Sequence, residues 1–168
     1  MRMPVFIEFI GDNQSVLSQS LLAESPYEGC ALLIGNQTQS DSLTKENGLN
    51  IHMIWPCCNV WKPEISNLVE SPKKNSNPVK EDLSKKNRFL IDPRDQILAQ
   101  RWARKRNLEV IGSAHSHPTG DPIPSAADRC WTISTGLIVI VGKSGAIRAW
   151  WMNKNQTFHP KEVAILES

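Results

Sequence analysis

Residues Cys30-Ala31-Leu32-Leu33-Ile34 form an unbroken apolar run closed by Gly35-Asn36. Neighbouring side chains of a strand point to opposite faces, so a strand that is apolar at every position has to be covered on both. This run therefore predicts a central strand with a packing layer on either side. Other elements can be set around it. Val5 to Phe9 reads as a first strand, and Asp12 as the cap of a helix over Asn13 to Ala23. The apolar positions Val16, Leu17, Leu21 and Leu22 of that helix share one face, and Ser25-Pro26 stops it. Asn36 to Asn50 reads as a loop ending in Asn47-Gly48, ahead of a strand over Ile51 to Trp55.

Phe89-Leu90-Ile91 reads as a further strand. Asp92-Pro93 then opens a helix, with Asp as cap and Pro at the first helical position. Leu98 and Trp102 fall on one face of this helix, Lys105 and Arg106 in its last turn, and Asn107 ends it. Strands over Glu109 to Ala114, Leu137 to Val141 and Ile147 to Met152, and a short helix from Ser125 to Trp131, complete the pattern. The sum is a mixed sheet with a few helices, an α/β or α+β domain.

The chain of 168 residues suits one domain spanning 1–168. Lys62 to Lys86, rich in Lys, Ser, Asn, Pro and Glu, reads as a polar loop insertion at about 62–86. Nineteen basic against seventeen acidic residues leave a net charge of +2, too little to argue for a nucleic-acid surface. No apolar stretch reaches the ~18 residues of a membrane span, and the N-terminus lacks a signal-peptide core. A soluble, cytoplasmic chain without membrane or nucleic-acid partners is expected. The four cysteines are too few for a disulfide framework, and adjacent Cys57 and Cys58 read as packing residues. Trp150 and Trp151 put one ring on each strand face. Core packing is the expected use, with a partner or homodimer contact as the alternative. His52 and His159 read as surface residues.

The chemistry is concentrated in Ala114-His115-Ser116-His117-Pro118, followed seven positions later by Ser125-Ala126-Ala127-Asp128. Residues i and i+2 of a strand project from one face, so His115 and His117 can offer two imidazoles to one metal from the strand end. The stiff loop from Thr119 to Pro124 can return the chain so that Asp128 supplies a carboxylate. Two imidazoles and a carboxylate suit Zn²⁺ with a fourth position open, the arrangement of a catalytic site. His-x-His alone is a weak signal, and Ser125 with Asp128 also resembles a helix capping box. Their joint spacing is stronger, expected on the order of once in a few thousand shuffled copies of this composition.

This pattern resembles the JAMM zinc metallopeptidases, the catalytic branch of the MPN-domain superfamily, whose motif is a Glu and, much later, His-Ser/Thr-His-x₇-Ser-x-x-Asp. The resemblance extends over Arg88 to Pro93, the following helix, Leu108 to Gly112 and Arg148 to Trp150. It implies a single JAMM/MPN domain with a curved, mostly antiparallel sheet flanked by helices, of cytidine-deaminase-like architecture. The family glutamate precedes a Cys-Gly-Leu-Leu-Leu-Gly-like strand, which selects Glu28 ahead of Cys30 to Gly35, with Glu24 as competitor. Ala31 stands where the family has glycine.

By resemblance, His115, His117 and Asp128 would hold one Zn²⁺, Glu28 would be general base and acid, and Ser125 would hydrogen-bond the oxyanion. Ser116, on the opposite strand face, would support the site. The implied activity is hydrolysis of an amide bond by a zinc peptidase or isopeptidase. Small prokaryotic-type relatives suggest the C-terminal tail of a ubiquitin-like sulfur-carrier protein as substrate. The alternative is a non-catalytic MPN-type scaffold, a kind that usually loses its metal ligands. A zinc nucleobase deaminase, prompted by Pro56-Cys57-Cys58, fails for want of His-x-Glu and Pro-Cys-x-x-Cys.

Overall fold

The computed structural model describes residues 2–38, 47–65, 84–130, 136–153 and 159–166. In chain order these form β1 (Phe6–Phe9), α1 (Asn13–Leu22), β2 (Cys30–Gln37), β3 (Gly48–Cys57), α2 (Pro93–Arg104), β4 (Glu109–His117), α3 (Ala126–Cys130), β5 (Gly136–Gly142), β6 (Ile147–Met152) and β7 (Lys161–Leu166). The strands close a barrel in the order β1-β3-β2-β4-β5-β6-β7. The pairs β2/β3, β2/β4, β5/β6 and β6/β7 run antiparallel, whereas β1/β3, β1/β7 and β4/β5 run parallel. The sheet is therefore mixed and mostly antiparallel, as expected, and it is curved until it closes.

β2 is the central strand its composition demands. Ala31 and Leu33 pack into the cluster formed by Ile7, Phe9, Ile51, Val139 and Val141 together with Leu17 and Leu21 of α1. On the other face Cys30, Leu32 and Ile34 meet Ala99 and Ala103 of α2. Both faces are dry, and the strand bonds to β3 on one edge and β4 on the other. Burial of a leucine side chain at such a position contributes about 1.5–3 kcal/mol. Trp151 joins the first cluster and Trp150 a third with Ile140 and Met152, so the two rings do lie on opposite faces. Both are buried, which removes the exposed aromatic face on which a homodimer contact was entertained.

Several expectations are corrected. Phe89–Ile91 makes no ladder, only a single bridge between Asn59 and Ile91. The face of α2 turned to the sheet carries Ala99 and Ala103, while Leu98 is exposed. Small side chains let the helix approach β2 closely, and the larger Trp102 lies at the rim, tilted against Trp55. Asp12 makes no side-chain cap; Asn13 ties the start of α1 to the carbonyls of Ile10 and His52 instead. Asp92 does cap α2, accepting from the Arg94 amide at 2.8 Å, and Asn107 leaves the helix with φ 57. β7 had no counterpart in the sequence reading. Most of the 62–86 insertion, and the end of the Ser125 to Trp131 helix, lie outside the described residues. Among the described residues no helix is long and apolar enough to cross a membrane.

Candidate metal centre

Register builds the site. β4 pairs with β2 so that His115 stands opposite Cys30. One residue further, the Ser116 amide donates to the Gly29 carbonyl at 3.0 Å, so Glu28 comes opposite His117. Residues opposed in an antiparallel pair share a face, which sets the Glu28 side chain beside the two histidines although 87 positions separate it from His115 in the sequence. Ser116 points the other way. Its hydroxyl donates to the Leu21 carbonyl at 3.3 Å and accepts from the Gly29 amide at 2.9 Å, fastening α1 and the residue after Glu28 to β4. Gly29 has to be glycine here, since a Cβ would lie 2.6 Å from the Leu21 carbonyl oxygen.

His115, His117 and Asp128 converge. The two Nε2 atoms are 3.0 Å apart. Asp128 Oδ1 lies 3.3 Å from His115 Nε2 and Oδ2 lies 3.4 Å from His117 Nε2. Ligands about 2.0 Å from a tetrahedral ion are themselves about 3.3 Å apart, so this donor set fits Zn²⁺. The supporting contacts fit as well. His117 Nδ1 donates to the Asp121 carbonyl at 2.8 Å, and because a carbonyl only accepts, Nε2 is left with its lone pair facing the cluster. His115 is fully buried and stacks on Phe89 with centroids 4.4 Å apart.

The capping box anticipated for Ser125 and Asp128 is present, and it orients the carboxylate. The Ser125 amide donates to Asp128 Oδ2 at 2.7 Å while the Asp128 amide donates to Ser125 Oγ at 3.1 Å. Burial alone would raise the Asp128 pKa, but the facing imidazoles and Ser125 outweigh it and hold the carboxyl well below its usual value. For His117, burial opposes the charged form and is outweighed by Asp128 and the Asp121 carbonyl, which raise its pKa. Glu28 is pushed up to about 8, first by burial and then by the charge of Asp128, with His117 and Arg88 opposing.

Glu28, His117 and Ser125 line a cleft of about 330 Å³ whose walls are Lys86 to Arg88 on one side and Pro118 to Gly120 on the other. The second wall is held from behind. The buried indole of Trp150 donates to the Pro122 carbonyl at 2.9 Å, and the Lys143 amide to the Gly120 carbonyl at 2.9 Å. Gly142 leaves room for this crossing, because a Cβ there would meet Pro122 at 2.7 Å. Trp150, Asp121 and the residues of the first wall were not identified from sequence. Asp121 contributes a backbone carbonyl and Trp150 reaches one at Pro122, contacts that leave no residue pattern. The Pro122 and Pro124 pair was the one available signal of a shaped loop.

The prokaryotic homologs of the JAB domain match this chain over residues 12–153, a span that contains all five candidate residues. A desampylase of Pyrococcus furiosus is 30% identical over 81 residues, which cover 46% of this chain and 56% of that relative. The chain thus matches little more than half the length of this curated relative. Among solved structures, a protein from Desulfitobacterium hafniense superposes with a TM-score of 0.68 at 20% identity, covering 96% of this chain and 92% of the other. A protein from Salinibacter ruber follows with 0.58 at 19% identity, covering 96% and 91%. At these identities the two structures speak for the fold alone. The resemblance to JAMM and MPN proteins read from the His-Ser-His segment agrees with the family match, and the chain belongs to the prokaryotic homologs of the JAB domain.

Proposed function

We propose that the chain is a zinc-dependent peptidase or isopeptidase that hydrolyses an amide bond at the C-terminal tail of a ubiquitin-like sulfur-carrier protein. The observation that carries this reading is that the buried carboxyl group of Glu28 lines one cleft with Ser125 and with His117, a member of the His115, His117 and Asp128 cluster. The desampylase relative supports an isopeptidase acting on a ubiquitin-like modifier. A cleft open between two walls suits an extended, narrow tail of the Gly-Gly type.

His115, His117 and Asp128 would hold the zinc, which supplies a Lewis acid and a water acidic enough to react near neutral pH. Glu28 takes the proton of the attacking water and returns it to the leaving amine. Burial raises its pKa toward neutrality, the range that suits both halves of that task. Ser125 Oγ accepts the Asp128 amide and its hydroxyl also bonds the Asp128 carboxylate, so in the proposed reaction its O–H would turn from Asp128 to the oxyanion. Such a donor stabilises a transition state by roughly 3 kcal/mol. His117 is kept in the ligating tautomer by the Asp121 carbonyl.

Zinc-loaded protein is expected to shorten a sulfur-carrier protein bearing a C-terminal extension, followed as a loss of mass. Glu28→Gln is expected to bind zinc as before and to slow that reaction by about 100-fold or more. Turnover retained in the Gln variant overturns the reading. A purified wild-type protein that takes up no zinc overturns it too, in favour of a partner-binding scaffold.

A further inference from the structure

We infer that Asn59 is a positioning residue that sets the place of Glu28 and of the adjoining cleft wall through its side-chain amide. The inference rests on the role proposed for Glu28. Cys57 at the end of β3 stands opposite Cys30 in β2, so two residues on along β3 and two residues back along β2 Asn59 comes opposite Glu28. Its amide is used completely. Nδ2 donates to the carbonyl of Glu28 at 3.0 Å and to that of Arg88 at 3.1 Å. Oδ1 accepts from the amides of Trp61 at 3.0 Å and Leu90 at 3.2 Å. An asparagine amide has two N–H groups and two lone pairs, and here all four are engaged. Two carbonyls at one end and two amides at the other fix which way the group is turned.

Three segments meet on this side chain: the approach to β2 that carries Glu28, the exit from β3, and residues 88–90. Backbone contacts run parallel to it. The Glu28 amide donates to the Lys85 carbonyl at 2.8 Å and the Val60 amide to the Leu90 carbonyl at 2.9 Å. Lys86, Asn87 and Arg88, which wall the cleft beside Glu28, lie between these anchors. The four bonds of Asn59 go to groups other than His115, His117 and Asp128, and the segment it holds meets His115 through the Phe89 ring, so its loss moves Glu28 and this wall before it reaches the metal candidates. Misplacing a reacting group by about 1 Å can cost on the order of 100-fold in rate.

Asn59→Asp separates the two halves of the amide, since it keeps acceptors for Trp61 and Leu90 and loses both donors. Asn59→Ser is the uncharged companion; a serine hydroxyl preserves the short turn to the Trp61 amide but cannot span to Glu28. In both variants, zinc affinity by chelator competition is expected to stay within about threefold of wild type. The Glu28 amide, bonded to the Lys85 carbonyl of the wall that Asn59 holds, is expected to exchange at least tenfold faster as that wall loosens, while Gly29, bonded to Ser116, keeps its protection. With the extended sulfur-carrier protein as probe, kcat falls about tenfold or more and KM changes less than about threefold. A Glu28 amide protected as in wild type in whichever variant folds overturns the inference, as does an equal loss of zinc affinity. If wild-type protein fails to hydrolyse the probe, the proposed activity falls, and the exchange result alone decides the positioning role.

Discussion

Ser116 lies between two candidate ligands and serves neither directly. Its hydroxyl is enclosed and bonded on both sides, to Leu21 and Gly29. Ser116→Ala leaves the Gly29 amide buried without a partner, which costs about 1–3 kcal/mol. Urea unfolding should show that loss, and stability equal to wild type would mean that water replaces the hydroxyl. Asp128 illustrates a related economy. One carboxylate caps α3 and faces both imidazoles, so the weak capping-box pattern and the weak His-x-His pattern describe a single object. Cys30 and Cys57 are held as thiols: burial first, and neighbouring thiol and carboxylate charges after it, push each up to about 12.

At the scale of elements, the site depends on the end of β4 and the turn that follows it. β4 is flanked by β2 and β5, and this rigid edge fixes two histidines; the third candidate ligand arrives through residues 118–124. That turn is pinned by Trp150 of β6, on the far side of β5. Trp150→Phe keeps the ring and removes the N–H. The Asp121 carbonyl beside Pro122 then loses its fixed position against His117, and zinc affinity is expected to fall about tenfold, the usual scale for loss of such outer support. Isothermal titration would detect it; unchanged affinity would show that packing alone holds the turn. α2 makes a different point. Spacing puts Leu98 and Trp102 on one face without telling which face turns inward; β2 is already bulky at Leu32 and Ile34, and the helix lies against it through Ala99 and Ala103, with Trp102 at the rim.

For the whole molecule, the buried Glu28 couples the site to folding. The unfolded chain releases this proton near 4.5, and the folded chain holds it to about 8. The contribution of Glu28 to stability is therefore full below about pH 4.5 and is lost as pH rises through 8, by an amount of order a few kcal/mol. In chelator-treated protein, the stability gained on Glu28→Gln should grow across that interval; parallel pH profiles for the two proteins would refute the assignment. Much of this architecture was legible locally. The double burial of β2 follows from five consecutive apolar residues, and the convergence of His115, His117 and Asp128 from strand period and a short proline loop. What sequence concealed is cross-chain. Asn59 satisfies the backbone of residues 88–90 with side-chain atoms, taking the place of a ladder, so an apolar triplet that reads as a strand does not become one. β7 is short, terminal and half polar, and acquires its meaning only by pairing with both β6 and β1.

That last pairing has a consequence for recognition. With β1 joined to β7, each of the seven strands among the described residues has a neighbour on both sides, although β1 accompanies β3 only as far as Ile51. On the proposed function, an extended tail would find little open strand edge in the barrel to pair with. On the same proposal, discrimination between tails would fall to the groups bordering the cleft, with Lys86 and Arg88 on one bank and Thr119 and Gly120 on the other. Substitutions on those banks can retune what is accepted without disturbing a single barrel hydrogen bond.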